Sequence, residues 1–350
     1  MNHLREMFVL APAHNDHRVG IRCGIGIGVP LAVLLVLGRV DLAIFVAFGA
    51  FTSIYGRNEP HRQRLGHQVR AGVLMFAVIL AGALSSLLDL DAWGIVAGTT
   101  AVAGLATVVT GYWRLRPAGS LFHIFAYAAI ASVPAHPPLW QGMLAAGATI
   151  AFAILLGMSG MLLQRYRTPW DKPLRPGFTA AQQTALWADG ALYAVAASAA
   201  GSIATWLGIG HNYWAMVAAT VPLVGATFRH RIHRGLNRML GTFGGLGITA
   251  VILFAGLAPW QLVLVIAVLQ CGAELFIARN YALAQVVVTP LALLSTELSR
   301  PSDPAVLIQD RAVETVIGAL VGMALVLLLQ LKARRGSRAK QAGRANPAPA

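Results

Sequence analysis

Apolar residues fall in twelve stretches separated by short polar gaps, beginning near Gly20, Leu42, His67, Ala92, Gly119, Leu139, Trp187, Asn212, Leu236, Trp260, Tyr281 and Ala305. Leu42–Tyr55 and Tyr281–Thr296 are shorter than the roughly 20 residues of a simple membrane span. Tilt, extension by flanking residues or a break is expected there. The gaps alternate in kind. All but three of the 27 lysines and arginines lie in every second gap: Arg5 to Arg22, Arg57 to Arg70, Arg114 and Arg116, Arg165 to Arg175, Arg229 to Arg238, Arg279, and Lys332 to Arg344. The opposite gaps hold only Arg39, Arg300 and Arg311. Short loops rich in Lys and Arg stay cytoplasmic. The pattern predicts an all-α integral membrane protein of about twelve transmembrane helices with both termini cytoplasmic.

Composition agrees. Charged residues make up 11% of the chain against 57% hydrophobic ones, with a mean hydropathy of +0.66. A soluble protein carries roughly 25% charge, so a water-facing surface of ordinary size could not be covered. The net charge of +14 then reads as the positive-inside signal together with attraction to anionic lipids. Basic and aromatic residues do not interleave as on a single-strand stacking surface, so no nucleic acid is expected. Cys23 and Cys271 lie in or beside apolar stretches and build neither a disulfide framework nor a zinc pattern. Met7–Ala13 lacks a small-residue cleavage site and reads as an interfacial helix.

The chain repeats itself weakly. An offset of 169 residues superposes Tyr55-Gly56 on Val224-Gly225, Arg62 on Arg231, Gly66 on Gly235 and Gly72 on Gly241. Each half then shows a span, a glycine, an Arg/His cluster and a glycine-containing span. The expected divisions are an N-terminal segment (1–19), a first six-helix unit (20–163), a cytoplasmic linker (164–186), a second six-helix unit (187–331) and a basic disordered tail (332–350). Six helices per unit gives both units the same orientation, hence parallel repeats about an axis along the membrane normal, with a path between them.

In the second half the order His211-Asn212-Tyr213-Trp214-Ala215, Thr220, Pro222, Gly225-Ala226-Thr227, Arg238, Gly241-Thr242, Arg279-Asn280-Tyr281-Ala282, Thr289-Pro290, Asp310-Arg311, Glu314-Thr315 and Gly318 resembles the fusaric-acid-resistance and aromatic acid exporter family of membrane proteins. The likeness is clearest from about Ala191 to Gln330. The usual aspartate of the last motif is Glu314 here, and the cytoplasmic domains of larger members are absent. The resemblance implies export of aromatic or related weak organic acids. It also implies a distant relation to plant aluminium-activated malate channels, which pair six-helix units.

Each candidate residue has two readings. Asp310, Arg311 and Glu314 share a helical face. Arg311 could bind a substrate carboxylate while Glu314 carries a proton, or the two could form an internal ion pair. Glu274, five residues before Arg279, is either on the substrate path or a helix-end charge that snorkels. Asp189 suits a helix N-terminus, and His123 a packing role. The clusters around Arg62 and Arg231 set orientation or form an anion-concentrating vestibule. Tyr213 and Trp214 belong to an interfacial belt or stack on an aromatic substrate. Pro222, Pro290 and Gly225 are candidate helix breaks. Gly20, Gly24, Gly28, Gly241 and Gly245 have the spacing of close helix contacts.

No dinucleotide, phosphate or catalytic acid/base motif is present, and neither cofactor, metal nor enzyme activity is expected. The sequence reads as a secondary exporter of small organic acids, aromatic ones first, in a bacterial cytoplasmic membrane, driven by potential or a proton gradient. The alternatives are an uncoupled organic-anion channel or a non-transporting scaffold. A homo-oligomer is compatible with either.

Overall fold

The computed structural model describes residues 16–345 apart from 134–136, 163, 165–166, 172–175, 211 and 226, with side chains as far as residue 335. The helix expected at Met7–Ala13, and Arg165, Lys172, Arg175, His211 and Ala226, lie outside the described residues. Among the described residues there is no strand and there are twelve α-helices. They are α1 (Asp16–Val36), α2 (Ala43–Ala50), α3 (His61–Leu87), α4 (Ala92–Tyr112), α5 (Leu121–Ala131), α6 (Leu139–Met158), α7 (Ala180–Trp206), α8 (Tyr213–Thr220), α9 (Phe228–Phe254), α10 (Pro259–Phe276), α11 (Tyr281–Ser299) and α12 (Pro304–Ala345). Thus α12 runs on through much of the tail expected to be disordered.

The helix starts are encoded locally. Asp91, Thr179, Thr227 and Asn280 each accept a hydrogen bond from a backbone N–H three residues on, as N-caps do. At α7 the side chain of Gln182 returns a bond to Thr179, completing a capping box. That box moves the start of α7 to Ala180, upstream of the Trp187 expected from hydrophobicity. Asp189 therefore lies in the third turn and is no helix-start residue.

Eight helices are long and apolar enough to cross a membrane: α1, α3, α4, α6, α9, α10, α11 and α12. The protein is an all-α, multi-pass membrane protein. The remaining four stretches of the expected twelve are helical but different. Helix α7 has 27 residues, with its apolar positions diluted by Gln, Asp, Ser and Thr. Helices α2, α5 and α8 are short, and every residue of α2 and α8 is buried. Their apolarity serves the protein interior rather than lipid, which is why sequence alone gives them the look of full spans.

Packing follows a regular scheme. Helix α3 packs on α5 and α6, and α2 on α6; likewise α9 packs on α11 and α12, and α8 on α12. Between the two sets, α1 lies along α10 and α4 along α7, while α5 touches α8 and α11 touches α2. Glycine permits the α1–α10 contact: a Cβ at Gly24 would sit 2.9 Å from the Ala267 carbonyl oxygen, and one at Gly20 2.8 Å from that of Cys271. The glycines at 241 and 245 do the same for α9 against α11, so both glycine series are packing surfaces. The expected break occurs at Pro222, where a 3-10 turn (Val221–Leu223) leads to Gly225 at φ 151°. At Pro290 the helix continues. The Val286 carbonyl that Pro290 leaves without its usual donor faces Gly245, whose added Cβ would be 2.9 Å away.

Leucine at Gly24 should force α1 away from α10 and lower stability by about 1–3 kcal/mol. Leucine at Gly247, where nothing lies within 4 Å, should leave it unchanged. Thermal unfolding of the detergent-solubilised variants measures the difference.

Candidate functional site between the two halves

A space of about 920 Å³ lies between the two helix sets, walled chiefly by α2, α5, α7, α8 and α11. Along α11 it follows the wall from Tyr281 to Thr296, roughly 22 Å of helix. One end is bordered by the turns after α2, α4 and α8, which contribute Arg57, Arg116 and Gly225, together with Arg231 and Arg234 of α9. Deeper in are Arg238 and Gln285, and then Trp214 and Arg311.

The cations are held in different ways. Arg57 donates to the Glu274 carboxylate at 2.5 Å and to Asp16 at 2.8 Å, pinning the turn after α2 to both α1 and α10. Glu274 is 4% exposed, so it is a paired interior charge rather than a snorkelling one. Arg231 Nε donates to the Gly225 carbonyl at 2.9 Å. Its counterpart is Arg64, whose Nε donates to the Gly56 carbonyl at 3.0 Å. The structural match is therefore Arg64 and not the Arg62 that the residue offset superposes. Each arginine braces a glycine at positive φ, 68° at Gly56 and 151° at Gly225, a conformation glycine adopts without a Cβ clash. Arg62 points away from the cavity wall and donates to the Trp170 carbonyl at 2.9 Å. Arg234 lies over the Tyr281 ring at 4.3 Å, and Arg238 donates to Gln285.

Arg311 is unlike these. It is 1% exposed, its guanidinium carbon stands 3.8 Å above the Trp214 ring, and none of its three nitrogens has a hydrogen-bond partner among the described residues. Glu314, 0% exposed, also has both carboxylate oxygens without a partner. No hydrogen bond joins the two among the described residues. A buried guanidinium held only by a ring face is costly unless something else completes it. Cation–π contact supplies about 2 kcal/mol at such a desolvated site.

Around it the aromatic rings form a chain. Trp214 meets Phe125 at 4.3 Å, Phe125 meets Phe48 at 4.8 Å, and Tyr213 lies 5.1 Å from Trp214. Tyr213 and Trp214 are buried, so the interfacial-belt reading fails for both. Of the other sequence candidates, Glu314, Asp310, Tyr213, Thr242 and Arg279 lie outside the cavity wall, and Arg311, Trp214, Arg231, Arg238 and Glu274 are part of it. Thr242 is fully buried in α9. Sequence reading missed Phe48 and Phe125 as site residues, since they sit in uniformly apolar stretches, and it read Asp189 as a helix-start residue although the helix begins at Ala180 and Asp189 lines the cavity.

The first half has no second Arg311. The residue offset maps Trp214 to Phe45 and Arg311 to Gly142. There Phe45 fills the space itself: a Cβ on Gly142 would be 2.6 Å from its ring. Among the described arginines of the cavity wall, Arg311 has all three guanidinium nitrogens without a hydrogen-bond partner, and it belongs to the second half.

Residues 198–325, from α7 into α12, match the family described as fusaric acid resistance protein-like. That segment contributes Trp214, Arg231, Arg238, Glu274 and Arg311 to the wall. Over 138 residues the chain is 30% identical to the "Uncharacterized membrane protein YvaC" of Bacillus subtilis (strain 168), which covers 39% of this chain and 22% of that protein. The chain therefore matches about a fifth of that relative's length. No solved structure matches.

Arg57→Ala should cost about 3–5 kcal/mol, because it removes the cation hydrogen-bonded to the buried Glu274 carboxylate. The double substitution Arg57→Met with Glu274→Leu should recover much of that loss. Chemical or thermal unfolding of the purified variants checks both, and equal stability of Arg57→Ala and wild type would refute the pinning role.

Proposed function

We propose that this fusaric acid resistance protein-like chain is a secondary exporter of small aromatic organic acids, built from two parallel six-helix units with both ends cytoplasmic. The membrane is the bacterial cytoplasmic one. The observation that carries the reading is Arg311: a buried, unpartnered guanidinium on an aromatic face, at the inner reach of a cavity between the units. A carboxylate supplies what Arg311 lacks, two parallel charge-assisted hydrogen bonds. An attached aromatic ring meets Phe125 and Phe48 at the edge of Trp214. The two-unit arrangement is supported by the correspondence of helix contacts at an interval of six, and by the Gly56 and Gly225 turns being braced alike.

Transport follows from the order of groups along the wall. The basic border with Arg57, Arg231 and Arg234 draws anions from the cytoplasm. Arg238 and Gln285 offer donors on the way inward, and Arg311 takes the carboxylate. Glu314, one turn after Arg311 and without a partner, is placed to exchange a proton as the anion arrives or leaves. Membrane potential alone contributes roughly 2.3 kcal/mol per 100 mV to the exit of a monoanion.

Efflux of labelled benzoate from proteoliposomes tests the reading. Arg311→Ala is expected to slow efflux about 100-fold, the loss of one partner of a buried charge pair. Glu314→Gln should retain benzoate binding and lose the response to an imposed pH gradient. Unaltered efflux in a monodisperse Arg311→Ala protein would remove Arg311 from the route.

A further inference from the structure

A second concave surface lies apart from the export route, on the outside of the second half. This groove of about 470 Å³ runs between the first two turns of α9 and the middle of α12. Phe228, Ile232, Met323 and Leu327 make it apolar, and Arg229 and His233 make one border basic. Its floor exists because position 235 is glycine: a Cβ there would lie 2.8 Å from Met323 Cγ. Leu327 remains 47% exposed although it belongs to an apolar span (Pro304–Arg335). From Leu327 the helix reaches Lys332, Arg334 and Arg335 within roughly 8–12 Å. The groove thus lies where an apolar span gives way to a basic helix end, at the depth of lipid phosphates.

The first half treats the same place differently. At the start of α3 the linker between the halves is laid over the helix: the His61 N–H donates to Thr168 Oγ1 at 2.9 Å, and Arg62 donates to the Trp170 carbonyl. Arg64 is drawn inward to the Gly157 carbonyl at 3.0 Å. The chain itself therefore lies over the start of α3 in the first half, while at the start of α9 an apolar slot is bordered by Arg229 and His233.

The geometry points to a binding site for one anionic phospholipid of the inner leaflet. Its phosphate rests on Arg229 and His233, and one acyl chain lies in the groove between α9 and α12. The two basic side chains select charge, while the slot admits a chain and fixes the stoichiometry at one. Arg311 and the central cavity take no part, so this site stands or falls independently of the export reading.

Native mass spectrometry of the full chain, purified in a neutral maltoside detergent and given dioleoyl phosphatidylglycerol or dioleoyl phosphatidylcholine, tests it. One phosphatidylglycerol per chain should survive detergent activation, with a preference of about tenfold over phosphatidylcholine. Arg229→Ala with His233→Ala should abolish the preference. Ala324→Trp, which fills the groove and keeps both basic residues, should abolish retention. Circular dichroism and size-exclusion profiles establish that both variants are folded. Equal retention of the two lipids by the wild type, or undiminished retention by folded Ala324→Trp, would overturn the site.

Discussion

The molecule depends on two helices approaching to backbone contact where no side chain intervenes. In lipid no hydrophobic drive holds helices together, so association rests on close packing. Helix α1 meets α10 through Gly20 and Gly24, each facing a carbonyl oxygen of the partner, and α4 meets α7 around Gly104 and Gly190. These two long seams cross from one helix set to the other. They leave the short helices α2, α5 and α8, with α11, to face one another across the central space. The Arg57 bridge to Asp16 and Glu274 lies at the end of the α1–α10 seam, so an ion pair and a glycine stripe fix the same contact.

Charge inside this body is not distributed evenly. Most cavity arginines are neutralised, braced or stacked within the protein: Arg57 on carboxylates, Arg231 on a backbone carbonyl, Arg234 on Tyr281 and Arg238 on Gln285. Arg311 has only the face of Trp214. Buried charges normally persist only when paired, so an incomplete one marks where the fold tolerates instability for another purpose. The contrast with Gly142 under Phe45 in the first half sharpens this.

How far the chain could be read in advance varied with the kind of signal. Helices emerged at every predicted stretch, because apolarity and the N-cap residues are local properties. The lengths needed for crossing did not, since α2 and α8 look like membrane segments yet are buried in protein. Arg311, Trp214 and Glu274 were legible because an ionisable or amphipathic side chain in an apolar run stands out, and Arg231 and Arg238 because they belong to the Arg/His cluster and to the order of motifs that carries the family resemblance. Phe48 and Phe125 were not, because one aromatic residue among many apolar ones carries no mark until a neighbour is known.

By itself, then, the sequence determined the class of protein, the helical stretches and the residues that would be expensive to bury. Those follow from composition and local chemistry, which act within a few residues. Which arginine is satisfied and which is left incomplete was decided only by the tertiary structure. Arg64 and Arg231 turn to glycine carbonyls, Arg57 reaches carboxylates on α1 and α10, and Arg311 faces a tryptophan with no acceptor near. A side chain's partner is set by what distant segments bring within about 3 Å of it, and that distance is a property of packing alone.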